Sequence, residues 1–434
     1  MKFPVIPALP GVAWGVLAVV TISSVGTGLT LPFELFYLHQ VRGLSLSQAG
    51  LVMAVSTLIA FGGNSLGGVL CDRFGFRRTL TLGLVVEGFG VLALANATEF
   101  WQAIAAVVVT GAGGGIAWPA QDALIATTVS EEMRSTAFAM RHAALNVGLG
   151  VGGLLAVMVT KSEDPGSFVA LFLLDTLTFF LAAGALWLIR LVAPATTPTS
   201  EAPGAGTGGG YRAVLRDRTF LRLWLIIFLL VTAGYAQLNS AVPAYLTGQG
   251  FQPGLLGVFA AVNAVTVVVA QVVVLRYIGG RRRTSLIAVL CVLWSAAWAA
   301  LILITEVDGA WALVLVVVAA SVFAVGETLL APTAPVLVNA IAPDDMRGRY
   351  NGLTASAFTL GAFVGTLTAG IVLDGGYGRM HFMACIAVLA LIALLALRLS
   401  THLPRAANLG DPEDTAPGDL GSAKEHARLG SNDV

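Results

Sequence analysis

The sequence is short of charge. Asp, Glu, Lys and Arg supply 11% of its 434 residues, whereas 57% of the residues are hydrophobic. A soluble globular protein of this composition would expose far too much apolar surface to water, so the balance indicates an integral membrane protein. The formal net charge is zero, which gives no electrostatic argument for nucleic acid as a partner.

Cysteine is equally scarce, and the spacings that bind metals or build catalytic sites are missing. The three cysteines, Cys71, Cys291 and Cys385, are far apart, which favours neither a disulfide framework nor a metal motif. The sequence contains no phosphate-binding loop and no nucleophile with an obvious base. It therefore indicates that the protein is not an enzyme, and it predicts no cofactor and no metal.

Long apolar segments recur instead, each close to the roughly 20 residues that a helix needs to cross a bilayer. A membrane β-barrel would show alternating segments of about 10 residues, so the prediction is an all-α integral membrane protein. Twelve transmembrane helices are predicted at about 12–38, 46–70, 79–97, 101–127, 137–160, 167–189, 220–247, 254–275, 284–305, 310–341, 350–373 and 381–398.

The stretch from Gly67 to Arg78, GGVLCDRFGFRR, predicts a tight charged hairpin between the second and third spans. If this hairpin is cytoplasmic and the loops alternate, that side receives 20 of the 24 Lys and Arg residues. The opposite side receives Arg42, Lys161 and Arg379, and Arg141 falls within a span. This asymmetry is what the positive-inside rule predicts.

The even number of spans then predicts that both termini are cytoplasmic. Met1 to Pro10 lacks the features of a cleaved signal peptide, so the first span is expected to be retained. Only three of the cations are lysine, a bias that hints at a bacterial source. The predicted location is the inner (plasma) membrane of a bacterium, as a multi-pass protein.

An internal repeat divides the twelve spans into two sets of six. EEMRSTAFAMRHAALNVGLGVGG, from Glu131, aligns without a gap with DDMRGRYNGLTASAFTLGAFVGT, from Asp344, at an offset of 213 residues. The alignment pairs Arg134 with Arg347, and Pro119 and Pro332 have the same offset. Two homologous six-helix halves are typical of transporters, because a site between them can open to each side in turn.

A Pro-, Thr-, Ala- and Gly-rich segment, 193–210, separates the two halves and predicts a flexible linker. The tail after about Thr401 is polar and mixed in charge, which predicts disorder. The expected organisation is an N-terminal six-helix bundle (1–192), a cytoplasmic linker (193–219), a C-terminal six-helix bundle (220–400) and a disordered cytoplasmic tail (401–434).

The charged hairpin carries a family signature. A glycine, an Asp-Arg pair, a second glycine and basic residues lie between spans two and three, as Gly68, Asp72, Arg73, Gly75, Arg77 and Arg78. On these residues and on the repeat, the whole chain resembles the major facilitator superfamily. It is most like the bacterial drug/proton antiporters of that superfamily, whose span-five glycine motif is partly matched by Gly148, Gly150, Gly152 and Gly153, without the usual proline.

This resemblance implies a fold of two pseudo-symmetric six-helix bundles and a gate at the hairpin. Asp72 would face the start of span eleven, and Arg77 would pair with Asp122 on span four. The expected conformational switch comprises Gly68, Asp72, Arg73, Gly75, Arg77, Asp122, Arg134 and Arg347. The alternative is a plain positively charged turn.

Acids within spans need a partner or a role, because inserting one costs at least about 2.5 kcal/mol. Glu327, on a span that lines the cavity in the superfamily, is the first proton-coupling candidate, since depth in the bilayer favours its neutral form. The alternative is a structural hydrogen bond to a nearby Thr or Ser. Glu34 is the second candidate, near the outer mouth of the cavity; alternatively it is an interfacial carboxylate neutralised by water or Arg42.

Other charged residues within spans have simpler expectations. Glu87 and Asp175 lie on spans predicted to be peripheral, which favours packing against polar groups of neighbouring helices. Arg141 is expected to pair with Asp122 or Glu131 rather than to meet an anionic substrate. His142, near the membrane interface, is expected to be solvated.

Polar and aromatic residues of the cavity spans predict a large, mostly apolar binding pocket. The candidates are Thr27, Thr30, Phe33, Trp118, Gln121, Arg141, Asn146, Thr232, Tyr235, Asn239 and Asn263. Few fixed hydrogen-bonding groups suit lipophilic compounds better than sugars, which need many polar partners to replace water. Such polar side chains also join spans to one another, so helix packing is the alternative for each of them.

The leading functional hypothesis is a secondary active transporter that exports small lipophilic compounds such as antibiotics in exchange for protons, by alternating access. It would act as a monomer in the lipid bilayer, with a small-molecule substrate and protons as its partners. The alternatives are an importer or facilitator of a nutrient or metabolite and, from another class, a membrane receptor or scaffold that transports nothing.

Overall fold

The structure is a computed structural model that describes residues 9–130, 133–160, 164–189, 211–277, 281–307, 309–330, 332–343 and 346–409. Twelve helices within these residues are long and apolar enough to cross a membrane, as predicted, and the described residues form no β-strand. We number these helices as spans 1 to 12. The predicted linker at 193–210 and the tail from 410 onward lie outside the described residues.

The N-terminal half contains spans 1 to 6. They are Gly11–Thr30, Leu46–Phe74, Phe76–Asn96, Phe100–Thr128, Arg134–Val159 and Pro165–Leu188. A short helix, Glu34–Phe36, and a π-helical turn, Tyr37–Val41, follow span 1. Span 1 is therefore shorter than predicted, because Pro32 has no N–H to continue the helical ladder.

The C-terminal half contains spans 7 to 12. Their α-helices are Arg218–Leu230, Gly254–Tyr277, Arg283–Leu303, Ala310–Glu327, Arg347–Asp374 and Gly378–Leu399. Span 7 continues through a π-helical turn, Val231–Tyr235, and the helix Ala236–Asn239, and is followed by Ala241–Gly248. Shorter helices occupy Tyr211–Val214, Ile304–Glu306, Ala334–Ile341 and Arg405–Asn408.

Span 10 departs from the prediction of one helix over 310–341. The helix Ala310–Glu327 ends at the acid, and the chain becomes helical again only at Ala334. Pro332 lies in the intervening turn, where its missing N–H costs nothing. The break matters for the site, because it makes Glu327 the last residue of a helix.

The tail also departs from the prediction of disorder from residue 401. Asn408 is buried, and its Oδ1 accepts hydrogen bonds from the N–H and hydroxyl of Thr284, both at 3.1 Å. Leu403 and Ala407 are also buried. The chain therefore packs against span 9 as far as residue 409.

The charged hairpin is tighter than predicted. Span 2 runs to Phe74 and span 3 begins at Phe76, so Gly75 alone joins them. Gly75 has φ +80°, a conformation that costs glycine little and other residues more. Its N–H also donates to the carbonyl of Cys71 at 2.9 Å, which closes the last turn of span 2.

The repeat is visible in the helices. Spans 5 and 11 begin at Arg134 and Arg347, positions separated by the 213-residue offset of the repeat. Within the halves, span 4 packs against spans 2 and 3, and span 1 against spans 5 and 6. Between the halves, span 2 packs against span 11 and span 5 against span 8. Glycines permit the close approach of spans 2 and 11. A Cβ added at Gly50 would lie 3.0 Å from the Cα of Gly370, so a larger residue would not fit there without a shift.

Candidate transport site

A cavity lies between the two halves and is lined by both. It encloses about 790 Å³ of space outside the protein atoms, part of it open to solvent. The N-terminal half contributes Gly28, Leu31, Pro32, His142, Leu145, Asn146 and Leu149. The C-terminal half contributes Tyr235, Leu238, Asn239, Val242, Pro243, Leu256, Phe259, Ala260, Asn263, Ala264 and Glu327. Most of these side chains are apolar, so the cavity offers a few polar groups on an apolar wall.

Glu327 is the acid among these cavity-lining residues. The Asn263 amide of span 8 donates a hydrogen bond of 3.5 Å to its Oε2. The sequence suggested Thr or Ser as a structural partner, whereas the structure gives an amide from another span. Because 3.5 Å is long for such a bond, Asn263 orients the carboxyl without holding it tightly.

Span 7 brings Tyr235 and Asn239 to the cavity through its π-helical turn. Gln237, one of the buried residues after that turn, donates to the Thr232 carbonyl at 2.5 Å and to the Gly365 carbonyl at 3.3 Å. Its Oε1 lies 2.7 Å from Nε2 of buried His381 on span 12. These contacts fix a turn of a kind that often occurs at functional sites. Gln237 and His381 were not predicted from the sequence, because no local spacing connects two positions 144 residues apart.

Of the predicted cavity residues, Asn146, Tyr235, Asn239 and Asn263 line the cavity. Others make their contacts elsewhere. The Thr30 hydroxyl donates to Asp175 Oδ2 at 2.7 Å, and Phe33 is fully buried near Phe168. Thr27 and Thr232 donate to backbone carbonyls, at 3.2 Å to Ser23 and 2.8 Å to Phe228. None of these four residues is among the described residues that line the cavity in this conformation.

Arg141, Asp122 and Trp118 form a cluster between spans 4 and 5. Arg141 Nε lies 3.1 Å from Asp122 Oδ1, and the guanidinium covers the Trp118 ring at 4.4 Å. This confirms the expected Arg141–Asp122 pair. Trp118 and Gln121, also predicted to face substrate, are not among the described residues that line the cavity. His142, expected to be solvated, is exposed and lines it.

Glu34 is partly exposed at the start of the short helix after span 1. Its predicted neutralising partner is engaged elsewhere: Arg42 donates to the Tyr37 hydroxyl at 2.7 Å and to the Ala95 carbonyl. The Glu34–Phe36 helix touches Ala241–Gly248 of the other half. Glu34 therefore lies beside a contact between the halves.

The gate implied by the hairpin is only partly described. The side chains of Asp72, Arg134 and Arg347 lie outside the described part of the structure. Arg77 does not pair with Asp122: it donates to the Trp187 carbonyl at 2.7 Å and lies over the Trp187 ring at 4.8 Å. That expectation is wrong for this conformation, because Arg141 occupies Asp122. Arg73 is exposed, and a Cβ at Gly68 would meet no atom within 4 Å.

At the end opposite to the hairpin, the halves are joined by an acid. Asp374, the last residue of span 11, accepts hydrogen bonds from the Leu46 N–H at 3.1 Å and from the Ser47 hydroxyl at 2.6 Å. These donors form the N-terminus of span 2, where a carboxylate is favoured. At the hairpin end, Gly68 and Gly352 have open space around them. Spans 2 and 11 therefore meet at the end away from the hairpin.

Twelve spans in two pseudo-symmetric halves, closed at one end around a shared cavity, define a secondary transporter of small molecules rather than an enzyme. The sequence profile of the Major Facilitator Superfamily matches residues 16–325. The chain belongs to this superfamily.

Known proteins resemble the chain over most of its length. It is 25% identical over 386 residues to the uncharacterized MFS-type transporter YttB of Bacillus subtilis (strain 168), covering 88% of this chain and 92% of the relative. It is 24% identical over 383 residues to a Na(+), Li(+), K(+)/H(+) antiporter of Planococcus maritimus, covering 81% and 87%. The crystal structure of the nucleoside transporter NupG matches with a TM-score of 0.72 at 10% identity, covering 90% and 99%, which is a likeness of fold alone.

Proposed function

We propose that the protein is a proton-coupled exporter of small lipophilic compounds. The observation that carries the proposal is the position of Glu327, an acid in the mostly apolar wall of a cavity that both halves share. Remaining permanently ionised without a partner costs an acid in such a wall free energy. Binding a proton for part of the transport cycle avoids that cost. The relationship to an antiporter that exchanges cations for protons also supports coupling to protons.

The coupling is a competition at one site. When Glu327 is ionised, the cavity attracts a lipophilic cation; when Glu327 is protonated, that attraction is lost and the substrate leaves. Proton and substrate then alter each other's affinity reciprocally, which is the thermodynamic requirement of exchange. Glu34, beside the contact between the halves, is the second coupling candidate.

The predicted orientation assigns a side of the membrane to each end of the cavity. With the hairpin in the cytoplasm of a bacterial cell, the end that Asp374 closes faces outward and the cavity loads from inside. Export requires the bonds from Asp374 to Leu46 and Ser47 to break while the hairpin end closes. The Asp72 hairpin is the element proposed to hold that second state.

The test is transport by the purified protein in liposomes with an imposed pH gradient. Lipophilic cationic dyes and antibiotics are compared with sugars and carboxylates of similar size. We expect Glu327→Gln to abolish uphill movement while downhill movement continues. Glu306→Gln is the matched control, because Glu306 is an exposed acid of the same half that pairs with Arg379 at 2.8 Å. Uphill transport by Glu327→Gln at the parent rate contradicts the proposal, and uptake of polar compounds alone indicates the importer.

A further inference from the structure

Asp175 of span 6 is a buried acid that the cavity does not explain. It is 2% exposed. Its Oδ2 accepts the hydrogen bond from Thr30, at 2.7 Å, whereas its Oδ1 is buried and has no hydrogen-bond partner among the described residues. The hydrogen bond from Thr30 is the packing contact with a polar group of a neighbouring helix that the sequence predicted, but an unsatisfied buried oxygen such as Oδ1 is uncommon.

No cation of the described residues acts electrostatically on Asp175. The ionisable groups that act on it electrostatically are Glu34, after span 1, and Glu87, on span 3. Arg141, on neighbouring span 5, is held by Asp122. An ionised Asp175 would thus be a buried anion beside two acids, with only the neutral hydroxyls of Thr30 and Thr178 to stabilise it. Burying an unpaired charge is far more costly than burying a neutral carboxylic acid.

The position of Asp175 also connects it to the moving parts. Thr30 is the last residue of span 1, one helical turn before Glu34. The Glu34–Phe36 helix touches Ala241–Gly248 of the other half. Opening this contact would bring water to Glu34 and then to the Thr30 hydroxyl, on the face of span 1 that Asp175 contacts.

We propose that Asp175 is a second proton-binding site, located within the N-terminal half. It takes up a proton, from water or from the Glu34 carboxyl, when the contact between the halves opens to the outer side, and it keeps the proton while that contact is closed. The Asp175 anion that precedes this uptake is stabilised by the Thr30 hydroxyl. The inference rests on the proton-coupled transport proposed above and adds a site that binds no substrate.

The direct test is infrared spectroscopy of the full-length protein labelled with ¹³C at the aspartate carboxyl carbon. Subtracting the spectrum of Asp175→Asn from that of the parent should reveal one protonated-carboxyl band at neutral pH, which disappears at higher pH. Asp164→Asn is the matched control, because Asp164 is an exposed acid at the start of the same span, and it should remove no such band. A parent protein in which Asp175 is ionised at neutral pH overturns the proposal.

A second variant keeps the test decisive if Asp175→Asn folds poorly. Thr30→Val removes the donor that favours the anion, so the band should persist to higher pH than in the parent. An unchanged midpoint would contradict the assigned contact.

Transport then separates this proposal from the first one. Asp175→Asn should carry one proton fewer per substrate than the parent, whereas Glu327→Gln should lose uphill transport altogether. An unchanged proton-to-substrate ratio in Asp175→Asn overturns the second site and leaves the role of Glu327 intact. If the parent moves no protons, the coupling proposal fails, and the infrared band still decides whether Asp175 binds a proton.

Discussion

The two halves join their peripheral spans to their cavity spans through chemically different contacts. In the N-terminal half, Asp175 of span 6 accepts a hydrogen bond from Thr30 of span 1. In the C-terminal half, His381 of span 12 hydrogen-bonds to Gln237 beside span 7's π-helical turn. Spans 1 and 7 are repeat partners, as are spans 6 and 12. The N-terminal contact therefore retains an acid where the C-terminal contact joins an amide and an imidazole.

The central spans of the halves differ in the same way. At the offset of 213, Glu327 corresponds to Gly114, and the carboxylate beside Gly114 belongs to Glu87: a Cβ at Gly114 would lie 3.1 Å from Glu87 Oε1. Pro119 lies inside the continuous helix of span 4, whereas Pro332 lies in the break of span 10. The shared helix order thus supports different placements of acids, and among the described lining residues the acid comes from the C-terminal half.

The substitution with the largest expected effect disrupts the contact between Asp175 and Thr30 in the N-terminal half. A Cβ at Gly26 would overlap the Thr178 hydroxyl and the Asp175 carboxylate and would lie 3.0 Å from Thr178 Cβ. Gly26→Ala should therefore destabilise the protein by about 1–3 kcal/mol, the usual cost of overpacking. Thermal unfolding in detergent measures the effect.

Gly62→Ala is the control for Gly26→Ala, because a Cβ at Gly62 meets no atom within 4 Å. Helical Gly→Ala exchanges at open positions stabilise by about 0.5–1 kcal/mol. Equal unfolding temperatures for the two variants would mean that spans 1 and 6 are not packed as described.

The second prediction breaks the C-terminal contact. His381→Phe leaves Gln237 Oε1 buried without its partner, which should cost about 1–3 kcal/mol. The double variant with Gln237→Leu should cost less than the sum of the two single variants, because removing both partners leaves no orphan oxygen. Strict additivity in unfolding measurements would show that the His381–Gln237 bond contributes nothing.

The third prediction concerns the contact between the halves. Asp374→Ala removes the cap that span 11 provides for the N-terminus of span 2, at a cost of about 1 kcal/mol. The population open at the end away from the hairpin should rise roughly fivefold. Distances between spin labels at the start of span 2 and the end of span 11 report this change. Asp164→Ala is the control, since the Asp164 carboxylate accepts a hydrogen bond from Gly166 of its own span. An equal shift in this control would refute the role of Asp374 in joining the halves.

The sequence was sufficient for the number of spans, the repeat and the hairpin, because each depends on composition or on a fixed spacing. It also predicted Glu327, Tyr235, Asn239, Asn146 and Asn263 as cavity residues, because the resemblance to the superfamily identified the spans that line or flank the cavity. Periodicity failed where helices break or bulge: Thr30 and Phe33 turn into the N-terminal half, and Thr232 bonds within its own half. The Asp175–Thr30 and Asp374–Ser47 contacts join residues 145 and 327 positions apart, a distance at which sequence patterns carry no signal.

The smallest expected effect concerns the cavity wall and separates two classes of substrate. Tyr235 is 40% exposed and lines the cavity from the C-terminal half, so Tyr235→Phe removes one hydroxyl and leaves the apolar surface intact. For a lipophilic substrate, binding should change by no more than about 0.5 kcal/mol, the low end of a net hydrogen bond. Asn146→Leu, on the N-terminal wall, should be equally mild if the wall binds by apolar contact. For a polar substrate, each substitution would leave a buried polar group of the substrate without a hydrogen-bond partner, which would weaken binding by about 1–3 kcal/mol. A tenfold or larger loss of binding in either variant would therefore favour the nutrient importer over the exporter.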